Sequence, residues 1–192
     1  MRRALVVYES VFGNTRAIAG AVAEGIATAL PAQVVEARDA DVALDGDVAL
    51  LVVGAPTHAF GLPRLSTRSS ASQHGEPAAS SPAATGVREW LARLEGPAGL
   101  PAAAFCTLVD RPAWLHVIGS ADRGIRSALS RLRFEAVTPP ARFQVTGMAG
   151  PLVAGELDRA REWGAELGEA AFRHETLLGS GPVTTAELRP VA

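Results

Sequence analysis

The chain has 192 residues, 48% apolar and 20% charged, with a formal net charge of −2. That length suits one domain with a sizeable core, and the near-neutral balance speaks against a nucleic-acid or anionic-membrane partner. No run reaches the roughly 18 apolar residues of a membrane span, the opening apolar run is too short for a signal peptide, and one cysteine, Cys106, allows no internal disulfide, so the expected compartment is cytoplasmic.

Strand-like runs alternate with helical patterns along the chain, the signature of a parallel sheet covered on both faces. Ala4 to Tyr8 is a first strand. Asn14 to Leu30 follows as a helix, with Ile18, Val22, Ile26 and Leu30 on one apolar stripe and Pro31 ending it. Gln33 to Ala37 reads as a second strand, and Val48 to Gly54 as a third that is apolar at nearly every position, as a central strand buried on two faces must be. Residues 62–85 are rich in Ser, Ala and Pro and read as a mobile loop or lid.

Val87 to Leu94 is helical, Pro101 to Thr107 is a fourth strand, and Ser120 to Leu132 is a helix with Ser120 as its cap. The fifth strand is interrupted: Phe134 to Val137, then Pro139 and Pro140, then Arg142 to Thr146. Gly155 to Arg173 forms the last helix, with Leu157, Ala160, Trp163 or Gly164, and Leu167 facing inward. Residues 1–175 make the domain, and 176–192 a flexible tail. Five parallel strands with alternating helices fit a doubly wound α/β sheet of order 2-1-3-4-5, whose ligand crevice lies at the carboxyl ends of strands one and three.

The segment Ser10 to Thr15 (SVFGNT) sits where the first strand hands over to the first helix. A helix start aims unpaired N–H groups and a positive dipole end into such a turn, which suits a phosphate. Ser10, Asn14 and Thr15 supply polar side chains, and Gly13 permits close backbone approach. Other phosphate loops do not match. The nucleotide-triphosphate P-loop needs a lysine, and all 18 basic residues here are arginine. A dinucleotide fingerprint needs three glycines in this turn, which has only Gly13. A response-regulator receiver needs an acidic pocket and an Asp ending the third strand, where this chain has Gly54 to Pro56. Ser, Asn and Thr are equally favoured in an ordinary helix cap, so that reading stands beside the phosphate site.

With Ser10 to Thr15 after strand one and Gly54 to Gly61 (GAPTHAFG) after strand three, the chain resembles the flavodoxin family over residues 3–172. The resemblance implies an FMN cofactor. It makes Ser10, Phe12, Gly13, Asn14 and Thr15 the ribityl-phosphate site, and sets Pro56, Thr57, His58, Ala59, Phe60 and Gly61 along the ring and ribityl chain. Thr107 would begin the third loop, with Asp110 and Trp114 within reach. Phe12 stands where many flavodoxins have Thr, and the second loop lacks their stacking Trp or Tyr. Simple packing is the competing role for Phe60, lining the rim for His58, and capping the core for Trp114.

Outside those loops the chemistry is sparse. His74, His116 and His174 have no metal-ligand spacing, Cys106 reads as a small buried strand residue, and Arg64 and Arg68 as solvated surface charge. Three functions stay open: an electron carrier docking to a redox partner protein, an NAD(P)H-dependent FMN reductase of quinone-like acceptors, and a binding module without cofactor. The reductase reading is compatible with a homo-oligomer. A charge of −2 suits a strongly acidic carrier poorly.

Overall fold

A computed structural model describes residues 2–57, 61–63, 85–109 and 120–179. Within them run β1 (Arg3–Tyr8), α1 (Asn14–Ile26), β2 (Ala32–Glu36), β3 (Val48–Pro56) and α2 (Val87–Leu91). These are followed by β4 (Pro101–Val109), α3 (Ala121–Arg131), β5 (Glu135–Ala136), β6 (Ala141–Val145) and α4 (Glu156–Gly179). All strand pairs are parallel, in the order β2-β1-β3-β4, with β5 and β6 both on the outer edge of β4. The expected fifth strand is therefore two short strands sharing one position, because Pro139 and Pro140 cannot donate to the ladder.

Strand alternation divides the core in two. Leu5, Val7, Leu51 and Val53 face α2 and α3, while Ala4, Val6, Leu50 and Val52 face α1 and α4. Ile18, Val22 and Ile26 of α1 are fully buried, each contributing about 1.5–3 kcal/mol of apolar transfer. The helix stops at Ile26, short of the expected Leu30. Thr28 and Ala29 donate to the carbonyls of Gly25 and Ile26 in a tightened turn, and Pro31 draws Leu30 away from helical geometry. Leu30 still packs inward.

Two glycines let α1 and α4 touch backbone to backbone. A Cβ on Gly25 would lie 2.0 Å from the Arg161 carbonyl oxygen, and one on Gly164 would lie 2.2 Å from that of Val22. Ala160, Gly164 and Leu167 are buried as expected, but Leu157 is 37% exposed. The first turn of α4 is held instead by Glu156, whose carboxylate accepts the Gln144 N–H at 3.0 Å.

Candidate functional site

Register brings the carboxyl ends of β1, β3 and β4 side by side, with Tyr8 opposite Gly54 and Pro56 opposite Thr107. The crevice above them is bordered by the turn after β1. Ser10 is buried at the base of that turn, Phe12 and Asn14 are half-buried, and Gly13 is exposed.

Gly13 is the N-cap of α1, with φ +85° and ψ −18°, and no side chain caps this helix. The first intrahelical bond joins the Ala17 N–H to the Gly13 carbonyl, so the N–H groups of Asn14, Thr15 and Arg16 have no partner within the helix. No acidic residue lies in the first turn, and a Cβ built on Gly13 would meet nothing within 4 Å. The reading of Ser10 to Thr15 as an ordinary side-chain cap is therefore not what forms. An uncapped, acid-free helix start fits a phosphate group.

Two polar side chains of the turn are engaged within the protein. Asn14 Nδ2 donates to the Ala149 carbonyl at 2.9 Å, tying the turn to the segment after β6. Thr15 Oγ1 and Thr107 Oγ1 share a buried hydrogen bond of 2.8 Å. When Thr107 donates, the proton of Thr15 remains for an acceptor in the turn.

The second border is shaped by packing. Gly54 is a glycine because the ring of Phe105 fills the space beside it: a Cβ there would lie 1.9 Å from Phe105 Cζ. Pro56 and Thr57 are half-buried. Thr57 donates its N–H to the Thr107 carbonyl at 2.8 Å, and its hydroxyl accepts the Ala121 N–H at 3.2 Å. Thr57 thus serves the start of α3 in place of Ser120, which forms no side-chain cap, contrary to expectation. Gly61 is half-buried with open space at its Cβ position. His58, Ala59, Phe60, Asp110 and Trp114 lie outside the described residues, as do Arg64, Arg68, His74 and His116.

Several supporting residues carried no sequence signal of their own. Glu9, buried beside the first turn, accepts the Val87 N–H at 2.9 Å. Arg88 donates to the carbonyls of Leu62 at 2.7 Å and Pro63 at 3.1 Å, fixing the end of the second loop. Asp122 is fully buried, pairs with Arg142 at 3.2 Å, and accepts the Cys106 thiol at 3.5 Å. Burial pushes the Cys106 pKa up to about 12, with the Asp122 charge adding to the shift, so this cysteine is no nucleophile. Glu9 continues the phase of Leu5 and Val7, the one pattern that could have marked it as inward. Among the described residues no cluster of three or more His, Cys, Asp or Glu could hold a metal, and no helix is long and apolar enough to cross a membrane.

Solved structures of the same architecture cover most of this chain. A flavodoxin from the domain Archaea superposes with a TM-score of 0.61 at 20% identity, covering 88% of this chain and 98% of its own. The chain has the flavodoxin fold. Oxidised flavodoxin 1 from Bacillus cereus gives 0.61 at 15% identity, covering 87% and 97%. A flavodoxin-fold, WrbA-like protein from Agrobacterium tumefaciens gives 0.53 at 18%, covering 91% and 99%. No family model and no curated protein sequence matches the chain significantly.

Proposed function

We propose that the chain binds FMN at the carboxyl ends of β1, β3 and β4 and works as a cytoplasmic electron-transfer flavoprotein. The observation that carries this reading is the start of α1: a positive-φ glycine cap, no capping side chain and no acid in the first turn. A phosphate dianion there would accept from the first-turn N–H groups and from Ser10 and Thr15, with no cation required. Phe12 flanks the same turn. Pro56, Thr57, Gly61 and Thr107 border the space for the ribityl chain and ring, and Arg88 keeps the Leu62 and Pro63 carbonyls fixed beside it. His58, Ala59, Phe60, Asp110 and Trp114 join this reading through the sequence alone. Bound flavin would supply the redox chemistry, and the protein the geometry that sets its potential.

The test is the visible absorption of the purified protein with and without added FMN, followed by anaerobic NAD(P)H. A flavin spectrum supports the reading, and a colourless protein that takes up no FMN refutes it. Bleaching by NAD(P)H alone assigns an NAD(P)H-dependent reductase. Bleaching only after a separate reductase is added assigns a carrier for a redox partner protein.

A further inference from the structure

Asn14 and Thr15 open α1, and each is tied to a different part of the molecule. Thr15 meets β4 through Thr107, whereas Asn14 Nδ2 donates to the carbonyl of Ala149, 135 positions away, at 2.9 Å. Ala149 belongs to the turn after β6, which is not one of the three loops that the flavodoxin resemblance implicates.

That turn is held on its own base. The Thr146 N–H donates to the Pro151 carbonyl and the Val153 N–H to the Gln144 carbonyl, both at 2.9 Å, and the Gly150 N–H closes the tip on the Gly147 carbonyl at 3.1 Å. The Gln144 N–H is bonded in turn to Glu156 of α4. A carbonyl presented from such a frame is a fixed point, so the bond from Asn14 immobilises the head of α1.

Gly150 shows how closely the two segments meet. It lies at φ +100°, and a Cβ built there would stand 2.5 Å from Asn14 Nδ2, 2.6 Å from Oδ1 and 2.9 Å from Cγ. These nearest atoms belong to one amide, which rests against the Gly150 backbone. Glycine is required there twice over, by the left-handed backbone and by this contact. Asn14 itself carries the first of the N–H groups of α1 that have no partner within the helix.

We infer that Asn14 and Gly150 are positioning residues for the phosphate: the turn after β6 fixes Asn14, and Asn14 fixes the backbone N–H groups of the helix start that receive the ligand. The inference rests on the FMN reading of the turn after β1 and adds a remote element to it. Donors fixed beforehand bind without an ordering cost, and loosening the tie brings that cost back. The competing role for Asn14 is direct, since Nδ2 has a second proton to give to the phosphate itself.

Gly150→Ala separates the two roles, because the atoms nearest its new methyl are Asn14's. FMN and riboflavin are titrated by flavin fluorescence into the unaltered chain, Gly150→Ala, Asn14→Ala and the double variant. Each single variant should weaken FMN by about tenfold and riboflavin by less than about twofold, and the double variant should be little weaker than either. The ³¹P signal of bound FMN should move in Gly150→Ala. A measurement on the unaltered chain needs no substitution: the side-chain amide signal of Asn14 should hold its place between the riboflavin and FMN complexes. A large shift of that signal, additive losses in the double variant, equal losses for both flavins, or an FMN preference lowered by Asn14→Ala alone would each overturn the inference. Failure of the unaltered chain to take up any flavin would refute the FMN reading, and the inference with it.

Discussion

Thr15 and Thr107, 92 positions apart, meet hydroxyl to hydroxyl at 2.8 Å in a buried site between the first turn of α1 and the end of β4. This bond fixes the helix that borders one side of the crevice to the strand that floors it. Thr15→Val leaves a buried hydroxyl on Thr107 without its partner and should cost about 1–3 kcal/mol in urea unfolding. The double variant Thr15→Val with Thr107→Val removes both polar groups, and its loss should fall well short of the sum of the two single losses. Additive losses would show that the two hydroxyls do not interact.

Gly54→Ala tests the packing beneath the second loop. The new methyl meets the Phe105 ring at 1.9 Å, and that ring is itself held edge-on by Phe143 and Trp163, at centroid distances of 6.0 and 6.2 Å. The expected loss is about 1–3 kcal/mol of overpacking, measured as a drop in the thermal midpoint. Shrinking the ring in a Gly54→Ala, Phe105→Leu variant should recover part of it. A neutral Gly54→Ala would contradict the packing described.

Much of this arrangement was legible in the sequence, and what was not has physical causes. Uninterrupted apolar runs marked the central strands, and the two prolines marked the split edge, because each reflects a local rule of the backbone. The turn after β1 was legible for the same reason, as strand, turn residues and helix follow one another directly. The missed features depend on partners distant in sequence. Thr57 caps a helix that starts 64 positions later, Asp122 is buried in a first turn where exposed acids are the norm, and Gly25 and Gly164 are explained only by each other. Leu157 was misplaced because extending the stripe of Ala160 and Leu167 backward ignores that Glu156 anchors the first turn of α4.

Cys106 yields a prediction in pH. Its thiol is neutral in the folded protein to about 12, against an ordinary value of 9.0. The unfolded thiol ionises first, so the contribution is fully present below pH 9 and is lost as pH climbs from about 9 to 12, at up to about 1.4 kcal/mol per unit. Cys106→Ala should flatten that part of the stability profile relative to the unaltered chain, and native Cys106 should resist iodoacetamide at pH 9. Rapid alkylation without unfolding would contradict the buried placement.

At the turn after β1, Gly13→Ala puts a side chain on a residue at φ +85° and should cost about 1–2 kcal/mol of stability. The accompanying shift of the turn should weaken FMN binding in a fluorescence titration. If Ser10 donates to the phosphate as proposed, Ser10→Ala should raise the FMN dissociation constant by about tenfold or more, the scale of a hydrogen bond to a charged group.

The central claim is that the uncapped start of α1 holds the phosphate of FMN. Its most direct measurement compares FMN with riboflavin, which lacks only that phosphate, in parallel flavin-fluorescence titrations of the apoprotein. The account predicts that FMN binds at least about a hundredfold more tightly, as several charge-assisted hydrogen bonds require. Equal affinity for the two, or no affinity for either, would contradict it.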